Sequence, residues 1–193
     1  GDAVVAAFEA KYGLDQEMPT VLLSLGGFGV GRIETLLDGL RAIAPPVQIL
    51  AMCGKNEELK TKLEREPATE NGAKIVPIGY TRDMDEYMSA SDLIVGKPGG
   101  LTTCEALAKG LVFVIANPIP GQEERNSDHL LEQGCAIRSN NPATLGYKIQ
   151  QLIKDPEGLA IMRKNALRFA RPNAAFDIAD KLINLRIGNQ TRH

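Results

Sequence analysis

Thr20-Val21-Leu22-Leu23-Ser24-Leu25 runs directly into Gly26-Gly27-Phe28-Gly29-Val30-Gly31, and the reading of this junction decides the fold. The first six residues are aliphatic, β-branched or small and carry no charge, the pattern of a strand buried on both faces. Beyond the glycines, Ile33, Leu36, Leu37 and Leu40 recur at helical spacing until Pro45-Pro46 closes the segment. Strand, glycine turn and helix are followed at once by a second strand, Val47 to Cys53, which completes a βαβ unit.

The alternation continues along the chain. A helix over Glu57 to Leu63, a turn at Asn71-Gly72, a strand over Lys74 to Ile78 and a short helix over Met84 to Ser89 come next. Asp92 to Val95, a helix from Leu101 to Lys109, the strongly apolar strand Leu111 to Ala116, a helix from Glu123 to Gln133 and a strand from Gly134 to Ile137 follow. Helical stretches near 142–154, 156–170 and 173–186 close the sequence. About six strands alternating with helices predict an α/β fold, a Rossmann-like doubly wound parallel sheet whose ligand crevice lies beyond the strand C-termini. With no internal repeat or low-complexity segment, 19–187 reads as one domain, preceded by a lead-in helix or linker over 1–18 and followed by a tail over 188–193.

Composition narrows the function classes. The chain has 193 residues, 44% hydrophobic and 24% charged, which suits one ordinary core and excludes a disordered or collagen-like chain. Twenty-two Lys and Arg against 24 Asp and Glu leave a net charge of -2, so there is no global basic field for nucleic acid or an anionic membrane. The C-terminal helices lean basic, through residues such as Arg163, Lys164, Arg168 and Arg171, and this reads as helix surface charge before it reads as a membrane or partner patch. Cys53, Cys104 and Cys135 form neither a disulfide framework nor a zinc knuckle, which fits a reducing cytoplasm. No apolar stretch approaches the roughly 18 residues of a spanning helix, and the N-terminus lacks signal-peptide regions. A start at Gly1-Asp2-Ala3 suggests a piece of a longer protein.

Three loops at strand ends carry the chemistry. In the first, Gly26 to Gly31, backbone N–H groups and a helix dipole can face an anion. The dinucleotide fingerprint fails there because Arg32 stands where glycine is needed and the second strand ends without a ribose-binding acid. The P-loop pattern fails because Arg32-Ile33 replaces its Lys and Ser/Thr. A tight strand-to-helix turn with no ligand stays open as the plain alternative. In the second loop, Lys97-Pro98-Gly99-Gly100-Leu101-Thr102-Thr103-Cys104-Glu105, another helix N-terminus opens into the same crevice, so a diphosphate can use both helix ends. Thr102 and Glu105 share a helix face, which sets a hydroxyl near phosphate one turn from a carboxylate able to accept from ribose hydroxyls. Glu105 as a solvated surface acid is the competing reading. In the third, Asn117 to Asn126, amide and carboxylate side chains suit a sugar, although Gly121-Gln122-Glu123 also reads as a plain helix start.

Asp83-Met84-Asp85 matches a D-x-D metal motif superficially. With Glu86 three residues after Asp83, it reads as a capping box instead. His129 and His193 have no spaced partner for a triad or a metal cluster.

In order along the chain, Gly-Gly-Phe-Gly-Val-Gly (26–31), Ile78-Gly79-Tyr80, Lys-Pro-Gly-Gly-Leu-Thr-Thr-Cys-Glu-Ala (97–106) and Pro-Gly-Gln-Glu-x-x-Asn (120–126) resemble the donor-binding C-terminal domain of GT-B glycosyltransferases of family 28. Within that family the likeness is strongest to monogalactosyldiacylglycerol synthases and processive diacylglycerol glucosyltransferases. It is weaker to the peptidoglycan lipid-intermediate N-acetylglucosaminyltransferase. It spans roughly 18–187 and implies one half of a GT-B fold, without the family's N-terminal acceptor domain.

The resemblance implies roles by position. Amides around Gly27, Phe28 and Gly29 would face the diphosphate, with Phe28 where the distant relative has a hydroxyl residue, so that contact would be backbone. Tyr80 and the backbone of Thr81 would flank uracil. Gly100, Leu101 and Thr102 would cap the phosphates, Glu105 would hold the ribose, Gln122 and Glu123 would grip the hexose, and Asn126 would support their loop. The implied reaction is inverting transfer of galactose or glucose from a UDP-sugar to a lipid hydroxyl such as that of diacylglycerol. It needs no metal or other cofactor, because fixed amides and helix ends stabilise the departing UDP. The catalytic base and the membrane contact would belong to the N-terminal domain of a cytoplasmic, peripherally membrane-bound protein. A UDP-N-acetylglucosamine 2-epimerase, a dehydrogenase and a non-catalytic nucleotide-binding module are the competing readings.

Overall fold

The computed structural model describes residues 2–25, 30–41, 43–44, 46–66 and 72–190. Along this chain run α1 (Asp2–Tyr12), β1 (Thr20–Ser24), α2 (Val30–Leu40), β2 (Gln48–Gly54), α3 (Glu57–Arg65), β3 (Lys74–Gly79) and α4 (Met84–Ser89). They are followed by β4 (Leu93–Gly96), α5 (Gly100–Ala108), β5 (Val112–Ile115), α6 (Gln122–Glu132), β6 (Ala136–Arg138), α7 (Pro142–Lys154), α8 (Pro156–Phe169) and α9 (Ala174–Gln190).

Side-chain alternation along the strands builds two cores, one on each face of a single sheet. Val21, Leu23, Ile49, Ala51, Val95 and Val114 point to one face, where α2, α3 and α7 supply Leu37, Leu40, Leu59 and Ile149. Leu22, Leu50, Met52, Ile94, Phe113 and Ile115 point to the other, covered by Phe8 of α1, Tyr87 and Met88 of α4, Leu107 of α5 and Ala166 of α8. Burial on both faces is why these strands read as unbroken apolar runs.

The six strands are all parallel in the order β3-β2-β1-β4-β5-β6, the predicted doubly wound sheet. Chain direction across the sheet reverses between β1 and β4, whose ends Ser24 and Gly96 are register partners. At such a switch point the connections leave to opposite faces and a crevice opens beyond the strand C-termini. A Cβ on Gly96 would lie 2.1 Å from the carbonyl oxygen of Ser24, so glycine is what lets the two strand ends meet there.

Three local expectations change. The last strand begins at Ala136 rather than Gly134, because Gly134 (φ 64°) and Cys135 close α6, with the Cys135 N–H bonded to the Leu130 carbonyl. The fourth strand begins at Leu93: Asp92 still donates its N–H to the Thr20 carbonyl at 2.8 Å, but the Thr20 N–H is taken by the Asp92 carboxylate, which also pairs with Arg163, instead of by a strand carbonyl. The Asp83–Glu86 capping box does not form: Asp83 is the N-cap of α4 but caps with no side-chain bond, and its own N–H is held by the Thr81 hydroxyl at 3.0 Å. Asn71 of the predicted turn lies outside the described residues. At the other end of the chain, α9 leaves Phe176, Ile178, Leu182, Ile183 and Leu185 exposed. No helix among the described residues is long and apolar enough to cross a membrane.

Candidate functional site

Beyond the C-terminal ends of β1, β2 and β3 lies a cavity of about 770 Å³. Its interior is mainly apolar, with Ile33 of α2, Met52 and Cys53 of β2, and Met84 of α4. Two loops form its lips: Gly54-Lys55-Asn56 after β2, and Gly79-Tyr80-Thr81 after β3. Both follow from strand register, because Gly54 and Gly79 are partners and each strand is released at that point. An irregularity between Met52 and Gly54, with Gly54 at φ 58°, redirects the chain at the first lip.

Tyr80 is 63% exposed, unusual for so large an apolar ring, and stands at the cavity mouth with the Lys55 ammonium 5.7 Å from its ring centroid. Thr81 is tied down by the Asp83 N–H. Burial pushes the Cys53 thiol up from its ordinary value, which keeps it protonated at neutral pH and makes it a wall of the cavity rather than a nucleophile.

A second group assembles across the switch point, at the starts of α5 and α6. Gly99, the N-cap of α5, has no side chain to cap with, which leaves the first N–H groups of that helix available to a ligand. Leu101 is 81% exposed on its first turn. Thr102 is half-buried, and Glu105 is exposed, its carboxylate making no hydrogen bond or ion pair with a described residue.

The starts of the two helices are joined. Asn126 Nδ2 donates to the Pro98 carbonyl at 2.7 Å, and Gln122 Nε2 lies 3.3 Å from where a Cβ on Gly100 would be. Asn126 therefore holds the preceding glycine loop to α6, besides lying in the same helix as its own loop. Glu123 turns back, accepting the Ile119 N–H at 2.6 Å across a segment that holds Asn117 at φ 47° and Gly121 at φ 104°. One of its oxygens is thus committed to shaping the loop. Glu124 forms a two-pronged pair with Arg138 of β6, both contacts at 2.9 Å.

Of the residues singled out in the sequence, Tyr80 and Thr81 line the cavity, while Gly100, Leu101, Thr102, Glu105, Gln122 and Glu123 form the second group. Gly27, Phe28 and Gly29 lie outside the described residues. Sequence reasoning missed Lys55, Asn56 and the apolar lining. The available signal was Gly54-Lys55-Asn56 at the end of a buried strand, next to the crevice.

The family profile described as glycosyl transferases group 1 matches residues 9–169. A processive diacylglycerol beta-glucosyltransferase of Staphylococcus saprophyticus is 32% identical over 173 residues, covering 89% of this chain and 44% of its own. The protein of the same name from Staphylococcus carnosus is 35% identical over 153 residues, covering 79% and 39%. The chain thus spans less than half the length of these relatives. Among solved structures, MurG of Acinetobacter baumannii superposes with a TM-score of 0.76 at 22% identity, over 94% of this chain and 55% of that one. Anabaena Alr3699/HepE in complex with UDP-glucose gives 0.65 at 20% identity, over 95% and 53%. At those identities the structures speak to the fold alone, here one half of a GT-B fold. The profile runs from the last turn of α1 to the end of α8 and so takes in every strand and both loop groups: the chain belongs to the glycosyl transferases group 1 family.

Proposed function

We propose that this chain is the donor-binding half of an inverting glycosyltransferase that moves a hexose from a UDP-sugar to a lipid hydroxyl such as that of diacylglycerol. The observation that carries the reading is the pairing of an apolar, aromatic-lipped cavity with a capless helix start across one switch point. The cavity suits a flat base, the α5 N-terminus suits phosphate, and Gln122 beside Gly100 sets an amide where the sugar would emerge. The names of the relatives favour diacylglycerol as acceptor and glucose over galactose, and the UDP-glucose complex of the structural neighbour favours a uridine donor.

In this reading Tyr80 and Thr81 hold the base, Glu105 the ribose, Gly100, Leu101 and Thr102 the diphosphate, and Gln122 with the free oxygen of Glu123 the hexose. As the anomeric carbon gains oxocarbenium character, negative charge builds on the departing UDP. Amides fixed at a helix start stabilise that charge without reorganising, each hydrogen bond to a charged oxygen contributing about 1.5–3 kcal/mol. That supply of positive potential is why the reading calls for no metal. The base that deprotonates the acceptor must sit opposite the leaving group, on an acceptor domain that would also make the contact with the cytoplasmic membrane surface. General-base assistance is typically about 10²–10⁴-fold. These 193 residues are therefore expected to bind donor without turning it over.

Calorimetric titration with UDP, UDP-glucose and UDP-galactose tests the reading. Saturable binding of UDP, unchanged by EDTA, supports it. Absence of binding at millimolar UDP overturns it, and glycosyl transfer to diacylglycerol by the chain alone overturns the division of labour.

A further inference from the structure

The β2–α3 lip of the cavity carries a cation that the family resemblance assigns to nothing. On this segment the other lysines are spent on ion pairs: Lys60 with Glu64 at 2.9 Å and Lys62 with Glu34 at 2.5 Å. Lys55 has no acid partner among the described residues and instead lies over the Tyr80 ring, 5.7 Å from its centroid. The pairing is built by the fold. Lys55 and Tyr80 each follow one member of the Gly54–Gly79 register pair, and the positive φ of Gly54 brings the lysine back across the mouth. Its neighbour Asn56 is occupied in capping α3 through the Leu59 N–H at 3.0 Å, which leaves Lys55 as the free polar side chain of that lip.

We propose that Lys55 is a specificity-determining residue of the nucleotide site, reading the base of the donor by donating a hydrogen bond to a carbonyl oxygen on its edge. The inference rests on the reading that a base lies against Tyr80. A planar ring packed there and projecting between the lips brings its edge to the ammonium. Lysine has three donors and no acceptor, so it favours a base that presents a carbonyl oxygen and disfavours one that presents an amino group at the same place. Uracil carries O4 where cytosine carries N4–H₂, and of the polar side chains that line the cavity Asn56 and Thr81 already accept backbone N–H groups, while the Ser24 hydroxyl lies at the end of β1, two strands away from Tyr80. A cation–π contact to Tyr80 in the unliganded chain keeps the ammonium stationed at the mouth.

The test is the ratio of UDP to CDP affinity, measured by calorimetry on the 193-residue chain and on Lys55→Met and Lys55→Arg. The expected result is a preference for UDP of tenfold or more in the parent. Lys55→Met should weaken UDP at least fivefold while leaving CDP within twofold, and Lys55→Arg, which keeps the donors, should restore most of the preference. UDP and CDP weakened equally by Lys55→Met would show only a general charge effect and overturn the proposal, as would an unchanged UDP affinity. If the parent binds neither nucleotide, the underlying nucleotide-site reading itself fails, a result distinct from parent binding that ignores residue 55.

Discussion

The phenolic oxygens of Tyr12 and Tyr87 stand 2.5 Å apart, joining α1 to α4 beneath the cavity lip that holds Tyr80 and Thr81. Phe8 packs against both rings, at 4.7 Å from each centroid and edge-on to Tyr87. Burial first, and then the bond to Tyr12, raises the Tyr87 phenol above its ordinary value. Because the folded chain keeps this proton more tightly than the unfolded chain does, the contribution to stability is full below the unfolded value of about 10 and is lost as pH rises beyond it. Urea unfolding at pH 8 and pH 10.5 should therefore show an alkaline loss that Tyr87→Phe reduces. Equal losses in parent and variant would refute the assignment.

The helices α2 and α7 cross at backbone contact. A Cβ on Gly146 would lie 2.1 Å from the Gly39 carbonyl oxygen, and one on Gly39 would lie 2.3 Å from that of Pro142. Alanine at either position gains about 0.8–1 kcal/mol of helix propensity. Forcing the backbones apart costs about 1–3 kcal/mol, and since the clash is with backbone rather than a movable side chain, the cost wins. Gly146→Ala is expected to lower the urea midpoint, and a midpoint equal to or above the parent's would show that the crossing relaxes freely.

These features divide by how local their causes are. The β1 strand and the helix after it were legible because burial on two faces leaves an unbroken apolar run, and because Ile33, Leu36, Leu37 and Leu40 keep one helix face. The parallel, doubly wound sheet followed from strand–helix alternation, whereas its strand order is seen only in the fold. What was not legible came from contacts distant in sequence. The Asp92 carboxylate takes the Thr20 N–H and pairs with Arg163, Asp83 forgoes its cap while Thr81 holds its N–H, and Lys55 meets Tyr80 only through the register of two strands. Near the candidate site, the placement of Gly100 and Glu105 on the first turns of α5 could be read from spacing. Glu123 bending back to Ile119 and Asn126 reaching Pro98 depend on how α6 docks.

Asn126 supplies the next test. Its bond to the Pro98 carbonyl is a neutral one, so Asn126→Ala should cost about 0.5–1.5 kcal/mol of stability and free the loop that starts α5. Loosening that start should weaken UDP binding by more than a stability change of this size explains, since a folded majority remains. Asn126→Asp puts a carboxylate where the amide donor was and should be worse in both respects. Parallel thermal melts and UDP titrations check this; UDP affinity unchanged in Asn126→Ala would detach the Asn126–Pro98 bond from the site.

Glu105 separates a ribose ligand from a solvated surface acid. Its carboxylate has no partner among the described residues, so Glu105→Gln should leave the melting temperature within error of the parent. If it accepts from both ribose hydroxyls, losing charge-assisted hydrogen bonds of about 1.5–3 kcal/mol should weaken UDP roughly tenfold or more. The same geometry predicts that 2′-deoxy-UDP binds the parent more weakly than UDP, and that the gap between the two nucleotides shrinks in Glu105→Gln because one charged, two-oxygen acceptor is replaced by a single neutral amide oxygen. A gap that persists in the variant places the ribose contact elsewhere and returns Glu105 to the helix surface.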